Sequence, residues 1–193
     1  MMKPEQVLAF WLDECSPSEW YTQSDALDQK IRDQFEPAWH DATRGAFGLW
    51  LTYPTGALAY LILTDQFPRN MFRKSALAFR SDRMALAAAK KAIHQGWDMR
   101  TDTPARQFFY LPLMHSECLP DQDRCVRLVR DRLDSAETLL HARVHREIIR
   151  TYGRFPYRNA ALGRKNTPAE EEFLVGAGYS DVLKRLQRTA ENA

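Results

Sequence analysis

The chain has 193 residues, of which 45% are apolar and 27% charged, a composition that excludes an intrinsically disordered protein and supports one full hydrophobic core. Its 27 basic and 25 acidic residues give a net charge of only +2, which excludes the strongly basic character of a nonspecific nucleic-acid binder. The charge is uneven, because residues 1–50 contain nine acids and four bases whereas residues 124–165 contain eleven bases and four acids. The second half is therefore expected to present the surface that attracts anions.

Helical periodicity and capping signals are found along the whole chain, and no run is typical of a pair of strands. The predicted helices cover about 4–14, 24–45, 55–66, 83–95, 120–132, 134–152, 167–174 and 180–188. Pro37 is expected to bend or split the second of these helices, and Pro68 is expected to end the third. Asp134 and Glu137 are predicted to form the capping box of the helix that ends near Tyr152.

The sequence predicts two further helix boundaries. Thr167 and Glu170 are predicted to form the capping box of the helix at 167–174, and Gly96 is predicted to end the helix at 83–95.

These elements predict an all-α fold of antiparallel helix pairs joined by short turns. We expect one domain over residues 1–193, with its core at 4–175 and a C-terminal helix at 180–188.

No membrane or secretory segment is predicted. The apolar runs are shorter than the ~20 residues that a membrane span needs, and the N-terminus lacks the apolar stretch of a signal peptide. Cys15, Cys118 and Cys125 are odd in number and lack Cys-x-x-Cys spacing, which predicts free thiols. We therefore expect a cytoplasmic protein.

The first Phe-Pro motif, residues 65–70, follows an apolar run without any charge at 57–63. Such a run is expected to be buried, so its polar neighbours must find partners. Asp65, Arg69 and Asn70 are candidates for a ligand clamp, because a carboxylate, a guanidinium and an amide together fix charge and orientation. The alternative is a structural network in which a buried Asp65 pairs with an arginine.

The second Phe-Pro motif, residues 154–159, repeats the pattern ninety residues later in a loop between two glycines. Its arginines, together with backbone N–H groups of the loop, are candidates for an anion site. The candidate residues are Arg154, Arg158, Asn159 and Arg164. We predict that the two motifs and His115 converge on one concave site.

Histidines suggest a second kind of chemistry. His115 or His145 could act as a general base with Glu117 or Asp65 as its partner, although an inward-facing His145 is also typical of a core histidine. No nucleophile elbow, cofactor motif or His-Glu-x-x-His pattern is present, so neither a cofactor nor a metal is predicted.

Nucleic-acid binding is not favoured by the arginines of 124–130. Asp121, Asp123 and Asp131 interrupt the basic series, and no stacking aromatics lie between the arginines. No specific nucleic-acid partner is predicted.

The motifs taken together resemble the bacterial domain-of-unknown-function family 924 over nearly the whole chain. The resemblance rests on residues 65–70, on 115–117 with Gln122, on 153–159 and on 162–164. It implies a tetratricopeptide-like right-handed array of helix pairs and no known activity. Position 157, often histidine in such sequences, is Tyr157 here, and His141 lies outside the family pattern.

Three hypotheses follow for the function. The first is a module that binds a small anionic molecule or a peptide carboxylate. Its predicted ligand-binding residues are Asp65, Arg69, Asn70, Gln122, Arg154, Arg158, Asn159 and Arg164. The second is a small cofactor-independent enzyme with His115, Glu117 and His145 as catalytic residues, and the third is a protein-interaction scaffold without a ligand.

Overall fold

Helices and turns make up the structure, a computed structural model that describes residues 2–191, with no strand in that range. The helices are α1 (Pro4–Leu8), α2 (Asp25–Thr43), α3 (Pro54–Leu61), α4 (Phe67–Met71), α5 (Asp82–His94), α6 (Leu111–Met114), α7 (Leu119–Arg132), α8 (Ala136–Tyr152), α9 (Pro168–Val175) and α10 (Tyr179–Glu191). Short 3₁₀ segments cover Gly48–Thr52, Ala76–Phe79, Asp98–Arg100, Ala105–Phe109 and Pro156–Arg158. The all-α prediction is confirmed, whereas the tetratricopeptide-like array and its antiparallel pairing stay predictions.

The chain divides into two compact units, residues 1–112 and 113–193. The first unit has an aromatic core in which Phe10 and Phe67 contact the ring of Phe35 at centroid distances of 5.0 and 4.7 Å. The second unit has a core of Val144, Ile148, Ile149 and Phe155, against which side chains of α9 and α10 pack.

Pro68 does not end the third predicted helix, which corrects the prediction from sequence. The π-helical segment Ile62–Gln66 links α3 to α4, and the helix runs on to Met71. The N–H of Phe67 donates five residues back, to Ile62, and Pro68 then lies in the first turn of α4, where its missing N–H is tolerated. The carbonyl of Thr64, four residues before Pro68, accepts from Ser81 Oγ at 2.5 Å.

The capping box predicted at Asp134 is corrected, whereas of the bend or split expected at Pro37 only the split is excluded. α2 passes through Pro37 without splitting, and the carbonyl that loses its helical donor belongs to Asp33, on the exposed side of the helix where water can reach it. The N-cap of α8 is Ser135 and not Asp134, since Ser135 Oγ accepts the N–H of Thr138 at 3.1 Å. The capping box at Thr167 and Glu170 is confirmed, with both reciprocal hydrogen bonds present.

Gly56 is a position where α3 approaches a neighbouring backbone closely. A Cβ built there would lie 2.5 Å from the Trp50 carbonyl oxygen and 2.9 Å from Trp50 Cα. Gly56→Ala should therefore lower the free energy of unfolding by about 1–3 kcal/mol, although alanine is the better helix former. Gly48→Ala is the matched control, because a Cβ there meets no atom within 4 Å. Urea denaturation should separate the two variants, and equal midpoints would contradict the close approach.

None of the helices formed by residues 2–191 combines the length and the apolar character needed to cross a bilayer.

Candidate functional site

Asp65 and Arg69 form a buried ion pair in the first unit. Asp65 is 2% exposed, and its Oδ1 lies 3.3 Å from Arg69 Nη1. Arg69 also donates to the Asp65 carbonyl at 2.5 Å and binds Asp82 through contacts of 3.0 Å. The predicted burial and ion pairing of Asp65 are confirmed, and Arg69 is the cation shared by two aspartates.

Asn70 also contacts the protein's own groups. Its side-chain amide donates to Asp28 Oδ1 at 2.9 Å, and Arg73 forms a two-pronged pair with the same carboxylate. Asp28 lies on α2, so the first Phe-Pro motif ties the end of α4 to that helix. These contacts support the structural network that sequence reasoning left open, in preference to a ligand clamp.

Arg154, in the second unit, is held by Glu170. Arg154 Nε and Nη2 lie 2.6 and 2.7 Å from the two carboxylate oxygens, and Glu170 also accepts the N–H of Thr167 at 2.7 Å. The hydrogen bonds from Arg154 and Thr167 hold the pKa of Glu170 at about 2. The pair lines an open depression of about 420 Å³, but its guanidinium is already engaged by a carboxylate.

Arg164 is held in the same way by Glu117. Arg164 Nη1 lies 2.7 Å from Glu117 Oε2, and Arg164 Nη2 lies 2.9 Å from Glu117 Oε1. Glu117 Oε1 also accepts the backbone N–H of Phe155. Burial alone would raise the pKa of the Glu117 carboxyl, but the hydrogen bonds from Arg164 and Phe155 outweigh it and keep that pKa below its usual value. Glu117 therefore orients the second Phe-Pro motif and is not aimed at a histidine as the enzyme hypothesis predicts.

Asn159 and Gln122 are fully buried and bonded within the second unit. Asn159 binds Asn166 and Arg164 through contacts of 2.8 and 2.9 Å. The Gln122 amide donates to the carbonyls of Met114 and Ser116 at 2.6 and 2.7 Å. Gln122 thus holds the backbone between Met114 and Ser116, and Asn159 links the side chains of Arg164 and Asn166, roles that their ligand-binding prediction did not include.

Phe155 lies in a histidine–tyrosine cluster of the second unit. Its ring centroid lies 5.5 Å from that of His145 and 5.4 Å from that of Tyr157, and the Arg158 guanidinium carbon lies 4.4 Å from it. The His115 ring lies 6.4 Å from His145. We define the histidine–tyrosine cluster as His115, His141, His145, Phe155, Tyr157, Arg158 and Tyr179.

Tyr179, at the start of α10, connects the histidines of α8. Its Oη lies 2.6 Å from His141 Nδ1 and 3.4 Å from His145 Nδ1. Burial raises the pKa of the Tyr179 phenol, so it stays protonated and can donate to His141. Tyr179 and His141 were not among the predicted site residues, because no local pattern in the sequence indicates a contact between two residues that are 38 positions apart.

His145 is a neutral imidazole whose hydrogen bonding fixes its tautomer. Nδ1 lies 2.8 Å from the carbonyl oxygen of His141, which can only accept, so the proton is on Nδ1 and the lone pair on Nε2. Burial lowers the pKa of His145 to about 3, and the charges of His115, Arg158 and His141 act in the same direction. An imidazole of this pKa is a weak general base at neutral pH.

The cluster gathers imidazole, phenol and guanidinium groups whose ring and side-chain donors suit an anionic ligand. Tyr157 is 41% exposed and gives the cluster an aromatic face at the surface, whereas Arg158 is buried. Within residues 2–191, no group of three or more His, Cys, Asp or Glu side chains could hold a metal ion. The convergence of the two Phe-Pro motifs on one site stays a prediction.

A comparison with known proteins identifies the family to which this all-α chain belongs. A family model described as a bacterial protein of unknown function, the domain-of-unknown-function family 924, matches residues 7–178. The chain therefore belongs to this family, as its motifs predicted.

A solved structure of a protein of unknown function from Agrobacterium tumefaciens is similar to this chain, with 36% sequence identity and a TM-score of 0.84. The match covers 89% of this chain and 96% of that one. No curated protein matches the chain.

Proposed function

We propose that the second unit binds a small anionic molecule at the histidine–tyrosine cluster. The observation that carries the proposal is a continuous set of contacts that joins three imidazoles, two phenols and a guanidinium. His145, Tyr157 and Arg158 lie against the ring of Phe155. His115 and Tyr179 lie against His145, and the His141 ring lies against Tyr179. The basic excess of residues 124–165 supports it, because such a surface raises the local concentration of anions.

The choice of the cluster over Arg69, Arg154 and Arg164 rests on the chemistry that each site offers. These three arginines are each paired with carboxylates of the protein, so an anion would have to compete with an intramolecular ligand of the same charge. The imidazole and phenol groups of the cluster bond each other or a backbone carbonyl, and a charge-assisted hydrogen bond to an anion is stronger than the neutral bond it would replace. A carboxylate or an oxyanion of similar size fits this chemistry, and the carboxylate end of a peptide is its macromolecular counterpart.

The general-base hypothesis is less well supported. His145 has a depressed pKa and Glu117 is turned toward Arg164, so a base would have to be His115. The scaffold hypothesis has no observation of its own beyond the structural ion pairs. We also propose a cytoplasmic location, which the three free cysteines support, and no specific nucleic-acid partner.

Thermal unfolding in sodium sulfate, with sodium chloride at equal ionic strength as reference, tests the binding proposal. Bound sulfate should raise the stability as the logarithm of its concentration above the Kd, by about 2.7 kcal/mol at a hundred times the Kd. Sulfate also stabilises proteins generally by exclusion from their surface, and that effect grows in proportion to the concentration, without the steep initial rise of binding.

Variants separate these two effects. Arg158→Gln should lose the logarithmic rise that binding causes, whereas Arg130→Gln should keep it, since Arg130 is paired with Asp131 on the exposed side of α7. His115→Gln serves as a second site variant should Arg158→Gln fail to fold. An identical sulfate response in His115→Gln, Arg158→Gln and Arg130→Gln would refute binding at the cluster.

A further inference from the structure

A short linker of small residues attaches α10 to the rest of the second unit. Gly176, Ala177 and Gly178 form this linker, and Gly178 has a φ of +53°, in the left-handed region that glycine adopts readily. The family model matches residues 7–178, so α10, which begins at Tyr179, lies outside the matched range. The linker therefore separates α10 from the part of the chain that defines the family.

An apolar stripe holds α10 against α8. Its four side chains pack on the core of the second unit and all stay partly exposed, and they belong to Tyr179, Val182, Leu183 and Leu186. An ion pair between Arg185 and Glu147, at 3.3 Å, joins the same two helices near the surface. Side chains that are only partly buried give a fraction of the stabilisation of full burial, and an exposed ion pair adds little. A helix held in this way can open locally at a smaller cost than global unfolding.

Tyr179 places α10 over two histidines of the cluster. Its ring is nearly parallel to that of His141, with centroids 5.9 Å apart, and its centroid lies 5.3 Å from that of His145. Its hydroxyl also bonds Nδ1 of His141 at 2.6 Å. With α10 in place, Tyr179 covers one side of each imidazole.

We infer that α10 is a lid on the histidine–tyrosine cluster, which turns about residues 176–178 and opens His141 and His145 to solvent while the rest of the second unit stays folded. The opening breaks noncovalent contacts only, those of the apolar stripe and of Tyr179. The purpose of the lid rests on the proposed function, since it would admit the small anion and Tyr179 would then close on it. The opening itself is measurable without a ligand.

Diethyl pyrocarbonate, which acylates accessible neutral imidazoles, measures this opening in the full chain. Peptide mass spectrometry gives the labelling rate at each histidine, with the exposed His94 of the first unit as the reference. Where opening and closing are faster than labelling, the rate follows the population of the open form. Leu183→Ala should raise the rates at His141 and His145 by about tenfold relative to His94, because it removes part of the stripe. Gln187→Ala, on the exposed side of α10, should leave both rates unchanged.

Gly178→Ala is a second variant that keeps the apolar stripe intact. Alanine is strained at a φ of +53°, and its Cβ would lie 3.3 Å from the Phe173 carbonyl oxygen, so the closed position is destabilised. Both rates should rise by about fivefold. Gly176→Ala is its control, because the φ of Gly176 is −69° and suits alanine.

A third substitution distinguishes the lid from global unfolding. Thr167→Ala removes the cap of α9 and weakens the second unit without touching α10. Rates that rise as much in Thr167→Ala as in Leu183→Ala would overturn the lid, and so would wild-type rates equal to that of His94. Loss of the sulfate response described above would overturn the proposed function alone, because the labelling is measured without sulfate.

Discussion

Replacing Arg69 with methionine is expected to lower the free energy of unfolding by about 3–5 kcal/mol, the cost of breaking a buried ion pair from one side. Methionine keeps most of the side-chain volume, so the decrease in the free energy of unfolding reflects the missing charge more than a cavity. Arg69 is the cation shared by Asp65 and Asp82, whose side chains are only 3% and 22% exposed. Removing it leaves two nearby carboxylates without the cation between them.

Asp65→Ala should cost less than Arg69→Met, because Arg69 keeps its contacts of 3.0 Å to Asp82. We expect a value near the lower end of the same range, about 3 kcal/mol. The matched surface control is Asp41→Ala, which removes the partner of Arg44 at 3.9 Å where both side chains are more than half exposed. Such a pair contributes at most about 1 kcal/mol.

Urea denaturation of the three variants measures this order. A double-mutant cycle between positions 65 and 69 then gives the coupling energy of the pair directly. Arg69→Met with a midpoint equal to that of Asp41→Ala would show that the first Phe-Pro motif does not hold the core.

The parts of the fold that sequence reasoning predicted are those determined by neighbouring residues. The start of α9 follows from Thr167 and Glu170, whose side chains bond each other's backbone three residues apart. The end of α5 follows from Gly96, which has a φ of +69°, a conformation that glycine adopts readily. Local chemistry of this kind is visible in a single sequence.

The parts that were not predicted depend on contacts between distant positions. Pro68 does not end its helix because it falls in the first turn of α4, and the carbonyl of Thr64 before it accepts a hydrogen bond from Ser81, 17 residues away. The same limit applies to the candidate site. The sequence singled out Arg154 and Arg164 as anion ligands, but their partners Glu170 and Glu117 lie 16 and 47 residues away. Periodicity placed His145 on the inner face of α8, yet it could not show that Tyr179 would lie against it.

The stability of the ligand-free protein should fall between pH 6.5 and pH 5 because of His145. The pKa of this imidazole is about 3 in the folded protein and 6.5 in its ordinary state, so in this range the unfolded chain binds a proton that the native state does not. A native pKa below the unfolded one makes stability rise with pH across the interval. The stability associated with the neutral His145 is fully present above pH 6.5 and is lost progressively as the pH falls toward 3.

At pH 5 the free energy of unfolding is lower by about 2 kcal/mol, since each pH unit below the unfolded pKa of His145 costs about 1.36 kcal/mol. The carboxylates of Glu117 and Glu170 contribute in a different range, because their lowered pKa values place their loss of stability below about pH 4.5. The interval from 6.5 to 5 therefore isolates the histidine.

Chemical denaturation at pH 7, 6 and 5 measures the effect. His145→Gln removes the titrating group, so its unfolding free energy should change by about 2 kcal/mol less than that of the wild type over this interval. His94→Gln removes an exposed histidine and should run parallel to the wild type. Equal pH slopes for the wild type and His145→Gln would mean that His145 is protonated at pH 5 in the folded state.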